Sequence, residues 1–433
     1  MSIEDKARCL YRGEALAPMV RASTTPLRVL ALKYGADFVY TEELVDRSIT
    51  SALRVENSTL GTIDYVKDTE KLSKKSVKKL QNEGRAPLLL RIDPKLEANK
   101  LVCQIGSGEP ELALEAALHI HKDVAGIDIN MGCPRKFSVS GGMGSALLGD
   151  PDRACRIVRT LTDNLTQPGV PVSAKIRLLK DSKSTVEFID GLVNSGAKAV
   201  AIHGRRVGDE GTNPADWHTL SEVVSIAKSK HPMVPILING DFYTRDEFET
   251  FQQKTKSDGV LLARPALYNT SIFRKPAADA GQQLYSYQSS LLIDKSTVIR
   301  EYLRLAVQYD IHHKNVKYVI CEMMNSRRAP TPRVPFLPQD VYPDGQTIAK
   351  TCNCHCIQDI CKVWNVDYQQ HILSRKSSNF TGTEELAPAG EHRYLDSYFL
   401  DPEGARKITE PHETMVGENR PTKRTRFAVE SDA

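Results

Sequence analysis

Several side chains with chemistry to offer stand in or just after short apolar runs, where packing alone has no need of them. Cys133 lies in Asn130-Met131-Gly132-Cys133-Pro134, Lys175 lies inside the run 172–176, and His203 closes the run 199–203. Gln104 sits within 101–105, Asn239-Gly240-Asp241 follows 235–239, Ala263-Arg264 ends 259–263, and Pro18-Met19-Val20 ends 16–20. A lysine inside an apolar run is costly to bury without a partner, so Lys175 points to a ligand or an ion pair. Gly240 lets a ligand approach the backbone, and Arg264 adds charge with paired donors, a combination that suits a phosphate. Each residue also has a plain reading: an ordinary turn and a surface arginine, a satisfied histidine, a cysteine acting as a small apolar side chain.

The elements that must position these groups are legible as a pattern. The runs 16–20, 38–41, 101–105, 126–130, 172–176, 199–203, 235–239 and 259–263 are near-continuously apolar, as expected of parallel strands buried on both faces. Helical spacing fills the segments 26–33, 109–121, 152–162, 185–195, 217–228 and 244–253, with Asp150 and Thr244 as helix starts and Gly196 as a stop. Eight strands alternating with helices predict an α/β fold of the (β/α)8 TIM-barrel type. In that fold the strand C-termini form the active face, and the loops after strands seven and eight take phosphate. A doubly wound open sheet stays as the alternative, although no GxGxxG opens the first unit.

Beyond the barrel the pattern is helical only. Val298, Tyr302, Leu305 and Tyr309 share one face, as do Val316, Val319, Ile320 and Met323. After a proline-rich break at 329–343, Ile348, Cys352, Cys356, Ile360 and Val363 make a last stripe. The expected organisation is an N-terminal segment 1–13, a barrel 14–275, a small helical domain 276–370 and a polar, disordered C-terminal tail 371–433.

No run of eighteen apolar residues occurs, and residues 1–11 lack an apolar signal core. Membrane insertion and secretion are therefore not expected. Nine cysteines, an odd number without a framework spacing, suit a reducing compartment. The expected location is the cytoplasm, with the nucleus also open, and the expected state is a monomer. Cys352, Cys354, His355, Cys356 and Cys361 are dense but lack the C-x2-C pairs of zinc sites, so no metal is expected. A net charge of +4 does not by itself imply nucleic acid, yet Lys67, Lys71, Lys74, Lys75, Lys78, Lys79 and Arg85 cluster against three acids, and Arg420, Lys423, Arg424 and Arg426 form a second group. A solvated face or a phosphate-contacting patch would both fit.

In these residues the chain resembles the tRNA-dihydrouridine synthases, and within them the eukaryotic branch that modifies uridine 20 of the D-loop. The specific part is Gly126-Ile127-Asp128-Ile129-Asn130-Met131-Gly132-Cys133-Pro134 followed by Gly141-Gly142-Met143-Gly144-Ser145-Ala146-Leu147-Leu148. Leu16-Ala17-Pro18-Met19-Val20-Arg21, Tyr34-Gly35-Ala36-Asp37, Thr41-Glu42-Glu43-Leu44, Val172-Ser173-Ala174-Lys175-Ile176-Arg177, Ile202-His203-Gly204-Arg205 and Ala306-Val307-Gln308-Tyr309-Asp310 match in order.

The resemblance implies FMN in the barrel mouth, NADPH or NADH as reductant, and tRNA as partner and substrate. It implies Cys133 as the acid for C5 of uracil after hydride reaches C6. A thiol of ordinary pKa, near 8.5, is protonated at neutral pH and suits that role. Lys175 and His203 match residues at the ring or the phosphate end, and Gln104 can pair with the ring's pyrimidine edge. Pro18, Met19 and Val20 would line the ring, and Asn239, Gly240, Asp241, Ala263 and Arg264 would hold the phosphate. Many relatives have glycine where Asp241 stands, and a carboxylate beside a phosphate is unfavourable unless it points away.

Animal members of that branch often add a double-stranded RNA-binding domain, whose basic helix is not found in 371–433. The lysine segment could take over part of that load, and with Arg300, Arg304, Lys314 and Lys317 of the helical domain it gives two candidate tRNA-holding surfaces. Two other functions remain open: a flavin barrel enzyme acting on a free pyrimidine, and an RNA-binding relative without chemistry.

Overall fold

A computed structural model describes residues 1–69, 73–75, 77–78, 87–275 apart from 168, 210 and 212, then 292–324 and 345–376. Its strands are β1 (Gly13–Leu16), β2 (Phe38–Val45), β3 (Ala52–Asn57), β4 (Thr62–Lys67), β5 (Leu88–Ile92) and β6 (Leu101–Gly106). They continue with β7 (Gly126–Asn130), β8 (Val172–Arg177), β9 (Ala199–His203), β10 (Ile236–Asn239) and β11 (Gly259–Leu262). Eight of them close a parallel barrel in the order β1-β11-β10-β9-β8-β7-β6-β2. The expected (β/α)8 architecture is the one observed.

Period-two alternation sorts each strand into two cores. Inside the barrel, Ala15, Ala17, Phe38, Tyr40, Val102, Ala199, Ala201, Leu237 and Leu261 pack together. Outward residues such as Ile127, Ile129, Ala174, Ile176, Val200 and Ile202 meet the helices. Residues 1–13 are more than a lead-in. The helix Ile3–Leu10 delivers Ala7 and Tyr11 to the inner core, and Tyr11 stands edge-on to Phe38 with ring centroids 5.9 Å apart. Helix starts follow the capping chemistry: Asp150 accepts from the Arg153 amide, and Thr244 forms a capping box with Glu247.

Three sequence expectations are corrected. The apolar run 16–20 predicts the first strand, but β1 spans Gly13–Leu16. Ala17 still donates to Leu262 O at 2.9 Å, after which Pro18 has no N–H to continue the ladder. Ser23 then folds the turn back, donating to Ala17 O and accepting from the Met19 amide. Between β2 and β6, where the sequence pattern yields neither a strand nor a helix, β3, β4 and β5 form a separate antiparallel sheet. Its first strand is largely exposed, so Arg54 and Glu56 interrupt the apolar signal. The basic run 67–85 begins at the end of β4 and precedes β5. Lastly, the stripe from Ile348 to Val363 is two short helices, Ile348–Cys352 and Ile357–Val363, and Cys356 caps the second rather than continuing the first.

The helix Lys295–Gln308 follows the barrel and packs on Thr25–Tyr34, with Tyr34 donating to Glu301. Arg91 donates to Tyr309 O, and Tyr309 Oη donates to Asp93 at 2.5 Å. Among the described residues no helix is long and apolar enough to cross a membrane.

Candidate active site

Inward positions at the C-terminal ends of the barrel strands carry a chain of polar side chains. Asp128 on β7 is fully buried and accepts from Ser173 Oγ at 2.7 Å and from Gln104 Nε2 at 2.8 Å. A carboxylate only accepts, so Gln104 must turn its amide nitrogen downward and its oxygen toward the mouth. That oxygen accepts from Asn130 Nδ2 at 3.2 Å, which leaves Asn130 Oδ1 to receive the amides of Gly132 and Cys133, each at 3.0 Å. Asp128 thus sets the polarity of a relay that ends on the backbone of Cys133. Burial lifts Asp128 to about 6 against the pull of Gln104, Ser173 and Lys175.

The Cys133 loop is held from its other side as well. Ser145 donates to Cys133 O at 3.0 Å, and Gly144, at φ +59°, passes so close that a Cβ would come within 2.6 Å of that oxygen. Arg177 Nε donates to Gly132 O at 2.7 Å. The thiol is half-buried, and burial, then the nearby Glu43 carboxylate, push its pKa up. It is therefore a protonated thiol at neutral pH, an acid rather than a nucleophile.

Beside it the site is cationic. Burial, followed by the charge of Arg177, brings Lys175 down to about 8. Burial and then Lys175, Arg177, Arg205 and Arg264 hold His203 well below its usual value, so its ring is neutral. Arg205 Nη1 lies 3.3 Å from His203 Nε2. An arginine cannot accept, so His203 accepts at Nε2 and carries its proton on Nδ1. A cavity of about 490 Å3 opens here, lined among others by His203, Arg177, Arg205, Gly240, Ala263 and Arg264. Arg135 and Asp209 also line it, giving four arginines against Asp209 and Asp241. That surplus suits an anion. Gly240 has φ +131°, and a Cβ there would stand 3.0 Å from Ala215 Cβ, so the close backbone turn requires glycine.

Asp241 resolves differently from the sequence expectation. Its carboxylate does not stand alone against a phosphate. It pairs with Arg205 at 2.5 Å and with Arg264, and it accepts the Ala215 amide at 2.9 Å. Arg264 also donates to Gly211 O at 2.6 Å, so Asp241 positions the arginine expected to meet the ligand.

The structure thus brings Cys133, Gln104, Lys175, His203, Asn239, Gly240, Asp241, Ala263 and Arg264 to one end of the barrel. Asn239 itself donates to Leu261 O at 2.8 Å. Pro18, Met19 and Val20 enter from the loop after β1, with Met19 partly buried and Val20 exposed. The expected RNA-contacting cations are less uniform. Arg300 Nε donates to Trp364 O at 3.1 Å, and Lys317 donates to the carbonyls of Cys352 and Cys354 at 2.9 and 2.8 Å, so both knit the helical region together. Arg304, Lys314, Lys74, Lys75 and Lys78 are exposed, while Lys79 lies outside the described residues.

Sequence reasoning did not single out Glu43, Asp128, Arg177 or Arg205. Arg177 had a usable signal, two residues after Lys175 on the same strand and hence on the same face. Arg205 had only its place in the matching segment Ile202-His203-Gly204-Arg205, which gave it no role.

The family model for dihydrouridine synthase (Dus) matches residues 15–332. A Schizosaccharomyces pombe protein named as a tRNA-dihydrouridine(20) synthase with NAD(P)+ is 37% identical over 313 residues, covering 71% of this chain and 59% of the relative. A Saccharomyces cerevisiae protein of the same name is 34% identical over 322 residues, covering 72% and 78%. A mouse protein named as tRNA-dihydrouridine(20a/20b) synthase-like is 27% identical over 273 residues, covering 62% and 72%. With its barrel, its cationic mouth and a family match across most of its length, this chain belongs to the dihydrouridine synthase (Dus) family.

Proposed function

We propose that the chain reduces a tRNA uridine, at position 20 of the D-loop, to 5,6-dihydrouridine, using NADPH or NADH through FMN bound at the barrel mouth. The names of the yeast relatives, tRNA-dihydrouridine(20) synthases with NAD(P)+, support the substrate and the reductant. What carries the reading is the Cys133 thiol, protonated, on a loop whose backbone amide Asn130 holds next to the Pro134 and Arg135 lining of a cation-rich cavity.

The residues present fit FMN: four arginines and the Gly240 turn offer an anion site that His203 also lines, and Lys175 and Gln104 stand on neighbouring barrel strands. Arg264, steadied by Asp241, would hold the phosphate with Asn239, Gly240 and Ala263. Pro18, Met19 and Val20 would flank the ring. When bound, FMN supplies the hydride that reaches C6 of the uracil. Lys175 would contribute positive charge to the bound group, and His203 would present Nδ1–H as a donor. Gln104 keeps one N–H and one lone pair beyond those committed to Asp128 and Asn130. Cys133 delivers its proton to C5. Arg304, Lys314 and the lysines after β4 hold the tRNA backbone.

The test is reduction of unmodified tRNA by the purified, FMN-loaded chain with NADPH, with dihydrouridine located by mass spectrometry of nuclease fragments. Product at position 20 is expected. Reduction of free uracil or uridine with no product in tRNA would overturn the reading in favour of a small-molecule enzyme.

A further inference from the structure

Glu43 is a half-buried carboxylate that the proposed reaction does not yet use. It lies on β2 just after the register to β6 shifts, between Tyr40 and Glu43, an irregularity that re-aims the side chain toward the mouth. Its Oε1 accepts from Ser138 Oγ at 3.2 Å. Its Oε2 is buried without a hydrogen-bond partner, alone among carboxylate oxygens of the described residues. An orphaned carboxylate oxygen is costly, and in a cleft it calls for a functional explanation.

Two glycines make room for it. A Cβ on Gly106 would come within 2.7 Å of Glu43 Oε1, and one on Gly144 would come within 2.4 Å of Ser138 Oγ and 2.6 Å of Cys133 O. The groups facing the carboxyl are the Cys133 thiol, the Ser138 hydroxyl and the Lys175 ammonium. Burial pushes the Glu43 carboxyl up, while the Cys133 thiol, the Ser138 hydroxyl and the Lys175 ammonium favour its charged form, and the charged carboxylate in turn raises the cost of charging Cys133.

The proposed reaction needs such a partner. As the C5–H bond forms, the Cys133 S–H bond breaks and a thiolate remains. It must regain a proton before the next turnover, in a loop already half-buried and then covered by RNA. We propose, on the basis of the dihydrouridine synthase reading, that Glu43 returns the proton to Cys133 after each turnover, with Ser138 holding its carboxyl in place. The Glu43 O–H bond breaks as the S–H bond forms, leaving a carboxylate that solvent water reprotonates once product leaves. No oxidant or reductant enters, and transfer from a carboxylic acid to a thiolate runs downhill. Glu43 therefore acts through Cys133 and never touches the uracil.

The experiment uses the FMN-loaded full chain carrying Glu43→Gln, with Ser138→Ala as a milder variant. Two readouts are taken: dihydrouridine formed in a first turnover of pre-reduced protein against steady-state turnover, and the pH midpoint of Cys133 alkylation by iodoacetamide. Glu43→Gln should leave the first turnover within about 3-fold and slow the steady state by at least about 10-fold, the lower range for a lost proton-transfer group. Its alkylation midpoint should move to lower pH, because a like charge beside the thiol is gone. Ser138→Ala should shift both in the same direction by less. Glu43→Gln turning over like wild type overturns the relay alone. First turnover and steady state falling together with an unmoved alkylation midpoint also overturns it, assigning Glu43 to packing. A wild-type chain that makes no dihydrouridine overturns the assigned reaction, and the relay with it.

Discussion

The Asp241 carboxylate lies 2.5 Å from the Arg205 guanidinium, with the two side chains only 1% and 4% exposed. The same carboxylate reaches Arg264 across the end of the barrel. One acid on the loop after β10 therefore orients an arginine from the loop after β9 and another at the end of β11. Asp241 also holds φ +58°, a left-handed backbone that a glycine adopts without strain.

Asp241→Asn should therefore destabilise the ligand-free protein by about 3 kcal/mol, since breaking a buried pair leaves uncompensated charge. Asp241→Gly removes the same charge on a backbone that suits glycine, so its loss should be no larger. Urea unfolding of the three proteins measures this. Added inorganic phosphate should restore more stability to the variants than to wild type, because the anion replaces the missing counter-charge. Equal midpoints for wild type and Asp241→Asn would remove the ion pair from the account.

Lys175 makes a pH prediction. Its ammonium is brought down to about 8 by burial, ahead of the charge of Arg177. In the unfolded chain the same group holds its proton to about 10.4. Between those values the unfolded state binds more protons, so stability rises with pH across that window. Relative to Lys175→Met, the ligand-free wild type should gain stability from pH 7.5 to 9.5. Urea titrations of both at the two values check it, and a constant difference would contradict a depressed lysine.

Cys133→Ala should keep FMN, measured by absorbance after dialysis, and should keep tRNA affinity. Dihydrouridine formation should fall by roughly 10²–10⁴-fold, the usual contribution of a positioned acid. Wild-type rates in this variant would hand the proton to water or another side chain.

The cations of the helical region should separate by role. Arg304→Glu with Lys314→Glu should weaken tRNA binding and reduce the slope of log affinity against log salt by about 0.9 for each phosphate no longer neutralised. Lys317→Ala should instead lower thermal stability, because its ammonium serves the carbonyls of Cys352 and Cys354. A salt slope unchanged in the double variant would make these two residues a solvated face.

How far each feature was legible follows from how local its cause is. A strand buried on both faces must be apolar throughout, so the runs ending near Asn130, Lys175, His203 and Asn239 announce a barrel and the residues that gather at its C-terminal end. The helix starts at Asp150 and Thr244 were equally local, each a side chain serving an amide three residues on. The β3–β5 sheet escaped because one exposed face mixes Arg54 and Glu56 into its apolar pattern. Only the tertiary structure could pair Asp241 with Arg205, 36 residues apart, or bring Glu43 of β2 to Ser138, 95 residues on. Those pairings come from strands that meet through barrel closure. Likewise, nothing in the spacing of Arg300, Arg304, Lys314 and Lys317 tells which cations stay on the surface and which bind backbone carbonyls. That depends on which face each helix turns toward its neighbours, and packing settles it.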